Sequence, residues 1–297
     1  MNDPVFARSV RHGPRTRSFN ADEDLVESVW QSVAIDELHG QLVTDDEGNS
    51  NGQPGLNMLD DESDIPVVIE LFVDGFQPMK TGYQMWVIML KILNLPHEIA
   101  NDYIIPIGVV DCSGKPVSLE NHFNFIVKQL DCLGGTRISV YDASRDGDQR
   151  VYIRPYLLCI ACDMRGMKVV ACHCEALAKF PCHLCEIEGE RHAIPRHIRA
   201  DGGEEKRGIG TTVYDTTKHL WPQKCRKRAR EEAEYAGLVK RKGFATSGLR
   251  GFTDEPVWTK LPYFDLSSGF LVCAMHQIAN TGKSHLKYVR KMPTGGP

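Results

Sequence analysis

No apolar run in this 297-residue chain reaches the roughly 18 residues that would suggest a membrane span. The first twenty residues, MNDPVFARSVRHGPRTRSFN, hold four arginines but no apolar stretch, which excludes a secretory signal. Without a secretory context, the ten cysteines read as thiols or metal ligands in a reducing compartment. No internal repeat is present. No Cys and His arrangement pairs a helix N-terminus with a distant base, so a cysteine-dependent enzyme has little support. What remains is an ordinary globular composition, 42% apolar and 25% charged, long enough for one large domain or two modest ones.

Charge is unevenly spread. Residues 1–64 carry fourteen Asp and Glu against four Arg, a net of -10, whereas residues 65–297 have a net of +6. An acidic N-terminal region therefore precedes a mildly basic body, which is compatible with a polyanionic partner without demanding one. Within the acidic region, Leu25, Val26, Val29, Trp30 and Val33 are spaced for a helix over 22–39. The run TDDEGNSNGQPG then reads as a linker. Residues 1–19 are polar and carry no expected element.

The body opens with three expected strands, Ile65–Val73, Tyr83–Asn94 and Tyr103–Asp111. Leu119, Phe123, Ile126, Val127 and Leu130 then mark one face of a helix stopped by Gly134-Gly135. RISVYDASRDGDQRVYIR suggests a hairpin with Asp146-Gly147 in its turn, and Pro155–Asp163 a further buried strand. MRGMKVVACHCEALAK suits a helix. Three strands, a helix and a further strand is the opening order of an RNase H-like α/β domain. On this reading a mixed sheet with flanking helices spans 65–297, with a cysteine-rich, zinc-knuckle-like insertion over about 172–245.

Two carboxylates stand at the ends of apolar strands. Asp74 follows Ile65–Val73, and Asp163 closes PYLLCIACD. Hard divalent cations prefer oxygen ligands, and phosphoryl transfer on nucleic acid often uses two such ions about 4 Å apart. Strand ends hold ligands more rigidly than loops do. The alternative is that both residues merely terminate strands at turns.

Six cysteines lie between Cys159 and Cys185. Cys159 and Cys162 have CxxC spacing inside an expected strand, where alternation sends them to opposite faces. They read as buried core thiols. Cys182 and Cys185, with His192 and His197, supply two thiolates and two imidazoles at spacings suited to a closed, structural zinc site. Cys172, Cys174 or His183 are substitutes for one of these ligands, and the CHC of Cys172–Cys174 is ambiguous. Farther on, KCRKRAREEAEY suits phosphate contact or a nuclear localisation signal. It equally suits a solvated helix whose Arg and Glu pair, and that reading is favoured. Cys273 and His276 form a lone CxxH, a weak signal by itself.

Five segments, in order, carry a family resemblance: LFVDGFQPM with MWVIMLKILNLP, then YDAS, LLCIACDMRG, KFPCHLC, and LPYFDLSSGFLVCAMHQIANTGKSHLKYV. Together, from about residue 65 to 289, they resemble the catalytic region of CACTA (En/Spm)-type DNA transposases. The resemblance implies an RNase H-like fold with an acidic triad binding Mg²⁺ or Mn²⁺, a DNA partner at transposon ends, a nuclear setting and a homo-oligomer. Asp74 and Asp163 match the first two metal-binding aspartates. Cys182 and Cys185 match a CxxC insertion, and Cys273 and His276 match a motif of Cys or Asp, two residues, then His. The third acid, a Glu on a later helix, has no counterpart here. The family's larger C-terminal part and an N-terminal DNA-binding module have none either, the pattern of a fragment or a domesticated remnant. The alternative to a nuclease core is therefore an inactive zinc-stabilised module that binds DNA or protein.

Overall fold

A computed structural model of the chain describes residues 3–10, 64–76, 84–112, 119–135, 138–145, 149–163, 166–174, 178–192, 211–214, 224, 226–244 and 251–272. The helix expected over 22–39 and the linker after it lie outside the described residues. The fold is α/β, with a mixed sheet and flanking helices. Contacts divide the chain into two units, Met1–Ile160 with Val257–Asp265, and Ala161–Pro256 with Leu266–Pro297.

The first unit is organised by strands β1 (Asp64–Phe76), β2 (Gln84–Ile92) and β3 (Ile105–Cys112), an antiparallel meander. Short helix α2 (His97–Ala100) and a 3-10 turn connect β2 to β3. Helix α3 (Glu120–Gly135) follows, then β4 (Ile138–Tyr141) pairs antiparallel with β5 (Arg150–Cys162). The sheet order is β3-β2-β1-β5-β4, so β1 is central. Its sequence says why. Val67, Ile69, Leu71 and Val73 line one buried face, and Val68 is fully buried on the other.

Helix α3 is amphipathic as its spacing predicts. Leu119, Phe123, Val127 and Leu130 are buried, and Phe123 meets Trp258 at 5.2 Å between ring centroids. Trp258 in turn packs against Phe264.

Three local expectations change. First, Pro4–Val10 forms a helix, α1, where no element was expected. Asp3 starts it by accepting from the backbone N–H groups of Val5 (2.8 Å) and Phe6 (3.3 Å), a side-chain cap. Val10 then joins Val67, Ile92, Leu95 and Ala100 in one apolar cluster. Buried Asn94 ties the same region together. Its Oδ1 accepts from Val68 N–H at 2.8 Å, and its Nδ2 donates to Pro66 O at 2.8 Å and Val10 O at 3.3 Å. Second, the hairpin strand and the strand expected after Pro155 are one continuous 13-residue β5. Third, the helix expected after Asp163 is a single short segment, α4 (Gly166–Val170). The YDAS segment closes the β4–β5 connection. Buried Asp142 accepts from Ser144 N–H and Oγ–H at 3.0 and 2.7 Å, while Asp142 N–H donates to Gln149 O. The Asp146-Gly147 turn lies outside the described residues.

The second unit holds α4, the two-stranded ribbon of β6 (Gly189–His192) and β7 (Thr211–Tyr214), helix α5 (Arg226–Arg241) and β8 (Phe270–Val272). Among the described residues no helix is long and apolar enough to cross a membrane.

Candidate acidic and cysteine-histidine sites

Asp74 does not end its strand. β1 continues through Phe76, with Asp74 opposite Val87 and Gly75 opposite Trp86 on β2. The Asp-Gly pair looked like a turn, but the glycine answers to packing. A Cβ on Gly75 would lie 2.8 Å from Cε2 of Trp86, so the indole occupies the space a side chain would need. Asp74 is half-buried and engaged with its surroundings. Strand alternation puts it on the same face as Val68, Glu70 and Phe72.

Glu70, four residues earlier, carries a pKa raised by burial, with the cross-strand Lys91 ammonium pulling the other way. Its negative charge also reaches Cys159 on neighbouring β5. Burial, seconded by Glu70, pushes that thiol up to about 12. Cys159 is therefore a neutral core thiol, and Cys162 is fully buried in the same strand. This agrees with reading the first CxxC as core rather than as a chelate.

Asp163 starts a helix. Its Oδ1 accepts the backbone N–H of Gly166, and its carbonyl accepts from Met167 N–H at 3.0 Å. It is thus the N-cap of α4. The turn reading and the ligand reading are compatible here, because one oxygen caps the helix and a carboxylate has two.

Cys182 and Cys185 lie close together in an irregular turn, where the Cys182 thiol opposes ionisation of Cys185. Each sulfur also accepts the backbone N–H two residues on, Leu184 at 3.4 Å for Cys182, and Ile187 for Cys185. Such N–H···S bonds stabilise sulfur that carries negative charge, so this donor pair suits a thiolate-binding ion such as zinc. Burial raises the Cys185 pKa, with the Ile187 N–H opposing. His192 lies in β6, and its side chain is outside the described residues, as are His197, Cys273 and His276 entirely. Among the described residues no three His, Cys, Asp or Glu side chains gather closely enough to hold an ion.

Sequence reasoning passed over one buried histidine near this pair, His173, and named the other, His183, only as a substitute ligand. His173 is only 2% exposed, and burial drives its pKa down to about 4, aided by the Lys224 ammonium and His183. His183 is buried too, and its Nε2 meets the Phe270 carbonyl at 2.9 Å. The two rings stand edge to face, 6.1 Å apart. Lys224 is itself buried, paired with Glu232 at 3.4 Å and set over the Phe252 ring at 5.7 Å. Phe180, Glu186, Glu188, Lys224 and Glu232 line a cavity of 70 Å³. That is far below the roughly 300–1,000 Å³ of ordinary ligand pockets.

The basic run forms the start of α5, and several cations of that helix are paired within the unit. Arg228 pairs with Glu232 one turn on and with Glu186, Lys240 with Asp254, and Arg241 with Glu255 at 2.9 Å. No protein-family model matches the chain, and no curated protein does.

Proposed function

We propose that the chain is a transposase-derived core of the CACTA (En/Spm) type, ancestrally a DDE-type enzyme for DNA cleavage and strand transfer. The observation that supports this best is the strand order. β1, which carries Asp74, is the sheet neighbour of β5, which leads directly into Asp163. Glu70 and Cys159 act on each other across these two strands, and each precedes its aspartate by four residues. Strands running in parallel would carry both carboxylates toward one end, as the RNase H-like reading requires. Short β4 takes the outer position, and on this reading β5 is taken as the fourth core strand.

In this reading Asp74 and Asp163 would hold Mg²⁺ or Mn²⁺, which would supply activation of the attacking oxygen and stabilisation of the leaving 3′-oxygen. Cys182 and Cys185 hold structural zinc. The partner is DNA at transposon ends, the setting nuclear, and the active assembly a homo-oligomer. No residue here is matched to a third acid, and two aspartates alone would give weak metal affinity and slow cleavage.

A second reading has its own support. Asp163 caps α4, and Arg228, Lys240 and Arg241 of α5 pair with acids of the same unit. Both suit an inactive zinc-stabilised module that binds DNA or protein. Nicking of supercoiled DNA with Mn²⁺ separates the two. The enzyme reading expects nicking that stops in Asp74→Ala at unchanged stability. Wild-type protein that never nicks DNA, and shows no Mn²⁺ binding by calorimetry, leaves the module.

A further inference from the structure

We propose that the outward stripe of α5, Glu231, Tyr235, Leu238 and Lys242, pairs with the same stripe of a second copy of this chain in an antiparallel helix pair. The inference rests on the homo-oligomer of the proposed function and gives it a surface. Neither metal nor DNA enters its test, so the dimer can fail while nicking stands, and the reverse.

The helix has two faces. Ala229, Ala233 and Ala236 are fully buried and turn inward. At 3.6 residues per turn, positions 231, 235, 238 and 242 fall on the opposite side. Their spacing of four, three and four residues is that of a coiled-coil seam. Tyr235 is 56% exposed and Leu238 43%, so two large apolar side chains stand side by side in water. Glu231 and Lys242 are exposed at either end of them. Lys242 is one residue past the last of α5, yet its N–H donates to Leu238 O at 3.2 Å, so it keeps its place on the stripe. Gly243, at a φ of +77°, then ends the helix.

Charge fixes the occupant. Arg228, Lys240 and Arg241 all meet acids of their own unit. Glu231 and Lys242 meet no ion-pair partner among the described residues. Glu231 precedes Tyr235 by four residues, and Lys242 follows Leu238 by four. Run in reverse, the stripe therefore keeps its apolar centre and exchanges the signs of its ends. A copy related by a two-fold axis sets Tyr235 against the partner's Leu238 and Glu231 against the partner's Lys242, and each contact occurs twice. Antiparallel helices also oppose their dipoles favourably. A parallel pair would set Glu231 against the partner's Glu231 and Lys242 against the partner's Lys242, like charges that disfavour it. A seam this short covers less than the roughly 1,200–2,000 Å² of a standard complex, so the dimer is weak and forms only at high concentration.

Sedimentation equilibrium of the full chain over rising concentration is the test. Wild type is expected to pass from monomer to dimer, and added salt to shift it back. Glu231→Lys and Lys242→Glu each turn two attractive pairs into two repulsive ones, and each should weaken the dimer about fourfold to thirtyfold. Mixing those two variants should restore it, because each then meets its opposite across the axis, which a misfolded variant could not do. Tyr235→Ser with Leu238→Ser should leave only monomer, with far-ultraviolet circular dichroism unchanged. Wild type that stays monomeric overturns the inference and leaves the stripe to a helix of a different protein. A wild-type dimer that the charge variants leave intact, or a mixture no tighter than its parts, overturns it too by placing the contact elsewhere.

Discussion

Asn94 offers the sharpest test of how the first unit is held. Its amide makes three bonds, from Oδ1 to Val68 N–H and from Nδ2 to Pro66 O and Val10 O. It is only 3% exposed, so water cannot take over these partners. Asn94→Ala strands the Val68 N–H, an omission worth about 1–3 kcal/mol. The two carbonyls keep their second lone pairs and lose less, about 0.5–1 kcal/mol each from the net value of a bond. The sum is about 2–5 kcal/mol, a large part of the roughly 5–15 kcal/mol that stabilises a typical domain. Because two units need not unfold together, the readout is native-state hydrogen exchange at single amides. Val68 and the first residues of β1 should lose protection by that amount, while amides of α5 keep theirs. Asn94→Asp retains the acceptor but loses both donor bonds and buries a charge, so it should not rescue. A loss below about 0.5 kcal/mol at Val68 in Asn94→Ala would refute the reasoning, since even one ordinary hydrogen bond is worth that.

Asp163→Ala should cost about 0.5–2 kcal/mol through the lost cap, while Asp163→Asn, an equally good cap, should leave urea stability unchanged yet abolish any Mn²⁺-dependent nicking. Gly75→Ala should destabilise by about 1–3 kcal/mol in urea unfolding, because the new methyl meets the Trp86 ring; an unchanged midpoint would show that the indole swings away freely. Glu70 has a folded pKa above its ordinary 4.5, so the folded state holds its proton longer than the unfolded chain. Stability is therefore lost as pH rises from the ordinary value through the folded one. Glu70→Gln should gain on wild type across that window and hold the gain at pH 7. A difference between the two that is flat from pH 4 to 7 would count against it.

Much of this architecture is legible in residue order. Periodic apolar residues mark β1, β2, β3 and α3, and strand alternation correctly places Cys159 and Cys162 in the core. The charge pattern of α5 likewise foretells paired Arg and Glu. What escapes is decided by distant neighbours. Gly75 reads as a turn until Trp86 is seen to fill its side-chain space. Helix α1 is too short to show a period, and it depends on the Asp3 cap, on the Phe6 ring against Tyr103 at 5.0 Å, and on Asn94. Pro155 suggests a break, yet β5 runs through it. His173 sits between two cysteines that draw the eye. Its burial comes from Phe252 and Gly251, nearly eighty residues later, which no local spacing announces.

On the proposed function Asp163 would serve both as a metal ligand and as the cap of α4, which bears on how such chains age. A lineage that stops cutting DNA is still under pressure to start α4 properly, so the residue outlives the chemistry. Drift at this position should then run to asparagine, serine or threonine, which cap as well without the charge. Descendants bearing those residues beside an intact Asp74 would be the molecular fossils of retired enzymes, sound in fold and silent in reaction.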